Sequence, residues 1–538
     1  MQFRAFTGAL VAAAVASGAF YAFKGPSSAG TSTSAADQAR GYSTSGQDAT
    51  RRALVVDQGA LYEATITGDA PLAKETDDSG RKVLEMLTPE QATQKLRKNE
   101  ESWFVGRGQG VVRYDVVQIP SNDPIEDDHA EKIIEVPANL SATESSAAPS
   151  DWMFWGVFDG HSGWVTSAKL RQTLISFVAR ELNDTYKTAL QDPAARFPSP
   201  ESIDKAIKAG FLRLDHEIVH ESVAKVKKAK SKLAAAELLA PALSGSCALL
   251  SFYDSRSKML RVACTGDSRA VLGRRGANGK WTATPLSIDQ TGGTESEAAR
   301  LRKEHPGEPD VVRNGRILGG LEPSRAFGDA YYKWSMETNQ ELKKSYFARS
   351  PSRLLKTPPY VTAEPIITTT KVEPEKGDFV VMATDGLWEM LTNEEVVGLV
   401  GQWLDVQARN NPQSNQKQSW LQGWFSSQKS ETLPIEKAGA DDTTGQRAPI
   451  RQQQWGTKSS LDERFVVEDK NAATHLVRNA LGGKDQDQLS ALLTLPSPFS
   501  RRYRDDLTVE VIFFGNGEAT GNVTLNLEAS APTPEPKL

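Results

Sequence analysis

SCALLSFYDSRSKMLRVACTGDSRAVLG, residues 246–273, decides how the rest of the chain is read. It holds three short apolar runs, at 246–253, 260–265 and 269–273, rich in β-branched and aromatic residues and separated only by brief polar turns. Those turns are too short for the helical crossover that joins parallel neighbours, so the strands are expected to be antiparallel. Working outward, similar runs occur at 152–158 (WMFWGVF), 379–384 (FVVMAT) and 507–514 (LTVEVIFF). Between them lie two helical patterns. Residues 164–182 place Ala168, Leu174, Ile175, Val178 and Leu182 on one face, and residues 201–219 do the same with Ile203, Ile207, Phe211, Leu214 and Ile218. Ser199 before Pro200 predicts a capped start for the second. Strands in runs beside amphipathic helices give the fold class α+β.

The chain has 538 residues, 39% hydrophobic and 24% charged, enough apolar side chain for a large core. Lys and Arg total 63 against 68 Asp and Glu, a net charge of -5, so no global basic field draws nucleic acid, and no nucleic-acid partner is expected. Two cysteines, Cys247 and Cys264, and six histidines exclude a disulfide framework and a four-ligand Cys/His zinc cluster in one short stretch. Each cysteine lies in an apolar run and is expected to be a buried thiol. Any metal must be held mostly by oxygen.

The amino terminus is read separately. Residues 5–23 are uncharged and rich in Ala and Gly, and the first acid is Asp37. Arg4, Lys24 and Arg40 with a Ser/Thr-rich stretch suit an organellar transit peptide, and Arg40-Gly41-Tyr42-Ser43 resembles a mitochondrial processing site. Residues 1–53 are therefore expected to target the chain to mitochondria, in the matrix or at the inner membrane, with residues 5–23 the candidate single membrane anchor. Residues 54–515 are the expected folded domain, with surface insertions at about 335–358 and 405–465, and residues 516–538 a disordered tail.

Three apolar runs are followed by an acid in a turn: VFDG at 157–160, CTGD at 264–267 and ATDG at 383–386. A fourth is preceded by Asp505-Asp506. Any one of these is an ordinary turn. As a set, rigid strands delivering several acids to one rim build an oxygen-ligand metal site, because crowded carboxylates repel unless a dication neutralises them.

Here the residues become a resemblance. Asp159-Gly160-His161-Ser162-Gly163, Thr265-Gly266-Asp267-Ser268-Arg269, Arg325-Ala326-Phe327-Gly328-Asp329, Ala383-Thr384-Asp385-Gly386-Leu387-Trp388 and Arg504-Asp505-Asp506-Leu507-Thr508 stand in the order seen in metal-dependent protein phosphatases of the PP2C type. The stretches at 121–127 (SNDPIED), 303–306 (KEHP), 319–329 (GGLEPSRAFGD) and 503–506 (YRDD) are similar to the pyruvate dehydrogenase phosphatase branch. The resemblance implies an α-β-β-α sandwich of two antiparallel sheets flanked by helices. At one end it implies two Mg2+ or Mn2+ ions, with a third, weaker ion in some members. Carried over by position, Asp127, Asp159, Asp385 and Asp505 are the direct metal ligands, and Gly160 contributes its carbonyl. Glu126 acts through a metal-bound water, Asp267 helps hold the third ion, and His161 is the general acid for the departing alkoxide. Asn122, Asp329 and Asp506 support the site.

The implied reaction is direct attack of a metal-bridging water on phosphoserine or phosphothreonine of a protein substrate, with the pyruvate dehydrogenase complex as the expected partner. Two positions depart from the family. Asn122 stands where many members carry a phosphate-binding Arg, and Asp506 where most have Asn. A pseudophosphatase, serving as a binding module, would lack ligands that are present here. A calcineurin-like enzyme would need a Gly-Asn-His triplet, which the sequence lacks, and a haloacid-dehalogenase-type enzyme a nucleophilic Asp after an early strand with a second Asp two residues on, whereas Asp159 is followed by Gly160 and His161.

Overall fold

The computed structural model describes residues 50–57, 59–68, 72, 75–77, 79–137, 150–191, 197–410, 433–436, 446, 448–451 and 464–532. The expected transit peptide and candidate anchor, most of the 405–465 insertion and the last six residues lie outside them. Among the described residues no helix is long and apolar enough to cross a membrane.

A small antiparallel sheet comes first, β1 (Thr50–Asp57), β2 (Ala60–Thr67) and β3 (Lys82–Glu85), followed by helix α1 (Pro89–Arg97). Two larger sheets follow. The seven-stranded sheet contains β4 (Glu100–Arg107), β5 (Val111–Ile119), β12 (Arg269–Arg275), β13 (Trp281–Pro285), β18 (Phe379–Ala383), β19 (Leu507–Phe514) and β20 (Ala519–Leu525), in the order β13-β12-β18-β19-β5-β4-β20. The five-stranded sheet contains β6 (Asp128–Val136), β7 (Ser150–Phe158), β10 (Ala248–Asp254), β11 (Met259–Thr265) and β17 (Ile366–Lys371), in the order β17-β11-β10-β7-β6. Neighbours in both are antiparallel. Two-residue strands β8 (Gly160–His161), β9 (Gly245–Ser246) and β16 (Phe327–Gly328) make a third small sheet, and β14 (Val312–Arg313) pairs with β15 (Arg316–Ile317).

The period of two in each strand explains why the sheets stack. On β7, Met153, Trp155 and Val157 point to the layer between the sheets, while Trp152, Phe154 and Phe158 point away to helices α2 (Val165–Gln191) and α3 (Pro200–His216). On β19, Ile512 and Phe514 enter the shared layer, while Leu507, Val509, Val511 and Phe513 meet helices on the other side. Those helices include α1, α5 (Asn393–Asn410), α6 (Ala472–Leu481) and α7 (Gln486–Thr494); α4 is Met336–Ser345. Three apolar layers thus separate helix, sheet, sheet and helix, the expected α-β-β-α sandwich. Ser199 caps α3 by accepting from the Ser202 amide at 3.2 Å, with Pro200 in its first turn.

Several boundaries move. The 246–273 run does not stay in one sheet: β10 and β11 pair with each other, whereas β12 belongs to the opposite sheet. The crossing is made at Gly266, whose φ of 108° suits glycine, and it sets Asp267 at the sheet edge. The segment expected to precede the folded domain, residues 1–53, ends early, since β1 begins at Thr50. The expected tail is folded as far as Ala531. Val523 pairs with Val105, Asn522 with Gly106, and the Ala531 amide donates to Glu100 O at 2.8 Å. Its solvent-facing edge strand ATGNVTL has no apolar alternation, so composition alone reads as disorder. The 335–358 insertion is likewise ordered, as α4 buries Leu342 and Asn339. At the start of the second insertion, residues 405–410 complete α5, and the Trp281 amide donates to Pro434 O at 2.8 Å.

Candidate metal centre

The sheet register gathers the expected acids on one rim. Ala383 of β18 pairs with Val509 of β19, and Leu507 pairs with Ile119 of β5. The end of β18, the start of β19 and the loop leaving β5 therefore share an edge, and these carry Asp385, Asp505–Asp506 and the 121–127 segment. Asp159 follows β7 and accepts from the Asp385 amide. Asp127 is buried, and its Oδ2 accepts from Thr384 Oγ1 and Thr508 Oγ1, each at 2.8 Å. Gly386 lies so close that a Cβ there would stand 3.3 Å from Asp505 Cβ. Gly160 meets the loop as tightly, since a Cβ there would fall 2.0 Å from Glu126 O.

The electrostatics are those of acids without enough cation. Burial, then the Asp506 charge, pushes Asp127 up to about 8. Burial followed by the mutual repulsion of Asp127, Asp159, Asp267 and Asp385 lifts Asp159 and Asp385 well above the carboxylate range. Burial also raises Asp267 to about 6, against a hydrogen bond from Cys247 Sγ at 3.1 Å. Such a group ionises together at neutral pH only beside compensating positive charge. An all-oxygen donor set of this kind fits hard dications such as Mg2+ or Mn2+.

The remaining expected residues surround this cluster. His161 Nε2 lies 2.6 Å from Asp329 Oδ2, and both sit directly over Gly245, where a Cβ would fall 2.1 Å from that ring nitrogen. Burial by itself lowers the imidazole pKa, but the Asp329 carboxylate outweighs it and the net shift is upward. Glu126 accepts from the Gly163 amide at 2.6 Å and from Asn122 Nδ2 at 2.9 Å. Asp506 accepts from the amides of Asn122 at 3.0 Å and Glu126 at 2.9 Å, and also from the Ser121 amide. Its carboxylate thus ties down the loop that carries Glu126 and Asp127.

Two features escaped the sequence reading. Arg501 ion-pairs with Asp505, and its charge favours ionisation of Asp127 and Asp159. Its signal was a basic residue four positions before an acid in a short helical turn. Glu389, one turn beyond Asp385, is clasped by Arg451 of the long insertion at 3.0 Å, and Arg451 also donates to Arg502 O at 3.1 Å. No local pattern announces that contact.

A family model described as Protein phosphatase 2C matches residues 128–418. The chain is 45% identical over 451 residues to the mitochondrial pyruvate dehydrogenase (acetyl-transferring) phosphatase 1 of Saccharomyces cerevisiae, covering 82% of this chain and 75% of that protein. It is 47% identical over 424 residues to a protein phosphatase 2C homolog of Schizosaccharomyces pombe, covering 78% and 84%. With the Homo sapiens mitochondrial pyruvate dehydrogenase phosphatase 1 it shares 31% identity over 498 residues, covering 80% and 83%. The chain therefore belongs to the protein phosphatase 2C family, on its pyruvate dehydrogenase phosphatase branch, and is a serine/threonine protein phosphatase.

Proposed function

We propose that this phosphatase depends on two Mg2+ or Mn2+ ions and dephosphorylates serine or threonine in the mitochondrial pyruvate dehydrogenase complex. The single observation that carries the metal dependence is the rim of mutually repelling carboxylates, Asp127 buried and Asp159, Asp267 and Asp385 half-buried beside it. Asp127, Asp159, Asp385 and Asp505, with the Gly160 carbonyl, would hold the ions, Glu126 would act through water, and Asp267 would serve a third, weaker ion. When bound, the dications would supply an activated water and positive charge to the phosphate oxygens.

The chain's own groups do the rest. Thr384 and Thr508 fix the Asp127 carboxylate, and Asp506 fixes its loop. His161 gives a proton to the departing serine or threonine oxygen, and Asp329 orients the ring. Arg501 contributes the positive charge that Asn122 lacks. No side-chain nucleophile is required. Cys247, the thiol beside the rim, has its pKa raised well above the usual value by burial and then by Asp267, so it carries little thiolate.

Substrate and compartment rest on the mitochondrial pyruvate dehydrogenase phosphatases among the relatives and on the basic, Ser/Thr-rich amino terminus. In this reading residues before Thr50 direct import and residues 50–532 form the catalytic domain. The test is phosphate release from a phosphoserine peptide of the dehydrogenase, with Mn2+, with chelator, and with Asp159→Asn. Release only by the metal-loaded native chain supports the reading; release that survives chelation contradicts it.

A further inference from the structure

The strand alternation that builds the apolar layer between the sheets also drives three polar side chains into it. On β6, His129 lies opposite Val157 and Glu131 opposite Trp155, both inward-facing residues. On β19, Glu510 lies opposite Met382 and Val116, again inward-facing. Glu510 is 0% exposed and its carboxylate faces that of Glu131, with no N–H donor among the described residues on either oxygen. A buried carboxylate so placed needs a counter-charge.

What faces it is not a lysine or arginine but a ligand set. One nitrogen or oxygen from each of His129, Glu131 and Glu510 lies within 4.8 Å of the others. His129 Nδ1 stands 2.6 Å from Glu131 Oε1 and 3.9 Å from Glu510 Oε1. A cation held at about 2.0–2.2 Å spaces tetrahedral ligands about 3–3.5 Å apart, so small side-chain rotations bring all three onto one ion. His129 and Glu131 side chains remain 17% and 19% exposed, which leaves a path for the ion and room for water as a further ligand.

We propose that His129, Glu131 and Glu510 form a second metal site, separate from the phosphatase centre, that takes a first-row transition dication such as Zn2+. One imidazole nitrogen with two carboxylates suits that class, whereas Mg2+ prefers oxygen alone. The site shares no ligand with the acidic rim. It lies one pleat behind it, because Thr508, two residues before Glu510 on the same strand face, holds Asp127. An ion there clips the edge strand that begins just after Asp127 to the strand that begins just after Asp506, joining the two sheets beneath the centre.

The test uses the full chain stripped by chelator, then dialysed against Zn2+ in excess Mg2+, with bound zinc counted by mass spectrometry. About one zinc per chain is expected in the native protein and in Asp159→Asn, and a loss of at least tenfold in occupancy in Glu510→Gln and in His129→Ala. His129 is partly exposed on an edge strand, so His129→Ala decides the matter if Glu510→Gln does not fold. No zinc in the native chain would mean that a proton neutralises Glu510, and it would overturn the proposal. Zinc retained by His129→Ala, or lost with Asp159→Asn, would overturn it too.

Discussion

Replacing His161 by Ala separates proton donation from mere positioning. A positioned general acid is worth roughly 10²- to 10⁴-fold, about 3–5 kcal/mol of barrier. That gain matters only when the leaving oxygen is a poor leaving group, as serine is, and little when it is a nitrophenol. The same change also strips a partner from Asp329, which is 0% exposed and, among the described residues, has the 2.6 Å contact to His161 Nε2 on one carboxylate oxygen and no partner on the other. Breaking such a buried pair costs about 3–5 kcal/mol of stability, and the double variant His161→Ala/Asp329→Asn should recover most of it by removing the orphaned charge. The assay compares kcat on a phosphoserine peptide and on p-nitrophenyl phosphate, with denaturant unfolding alongside. A fall of about 100-fold or more on the peptide, less than about tenfold on the aryl ester, and recovered stability without recovered peptide activity in the double variant are expected. Equal losses on both substrates would refute proton donation by His161.

Gly160→Ala forces the Glu126 carbonyl away from a Cβ that would sit 2.0 Å from it, so the Mn2+ concentration for half-maximal activity should rise about tenfold or more; an unchanged metal requirement would rule out the close approach. Arg501→Ala should raise KM for the phosphopeptide about tenfold, by removing the charge beside Asp505, and an unaltered KM would assign phosphate binding elsewhere. His475 is fully buried and neutral, its Nε2–H donating to Leu399 O at 3.1 Å and its Nδ1 accepting from Asn479 at 3.2 Å. Burial lowers its pKa to about 4. Below the unfolded value of about 6.5 the unfolded chain takes up the proton first, so stability falls as pH drops from 6.5 towards 4, by up to about 3 kcal/mol from this group. Unfolding at pH 7 and pH 4.5 should show a larger acid loss in the native chain than in His475→Gln, and equal losses would discard that role.

What could be read without coordinates was local. Apolar runs ending in Asp-Gly announced both the strands and the acids at their ends, because a turn residue and a metal ligand occupy the same place. The rest depends on partners far away in sequence. β20 is recognisable only once β4 is there to pair with it, since its side chains face solvent. The change of sheet at Gly266 looks like one more hairpin turn until β12 is seen beside β18. Glu510 inside LTVEVIFF was visible as a lone acid in an apolar strand, but its meaning required His129 and Glu131 opposite it. Arg501 and the Arg451–Glu389 clasp are tertiary facts in the same sense.

In the proposed centre, four acids distant in sequence hold paired dications at one rim. Crystals of the chain grown with Mn2+ and measured at the manganese absorption edge test it most directly. Two anomalous peaks within coordination distance of Asp127, Asp159, Asp385 and Asp505 are expected, both fading in Asp159→Asn. A rim that stays free of manganese in an active, metal-supplied enzyme would contradict the account.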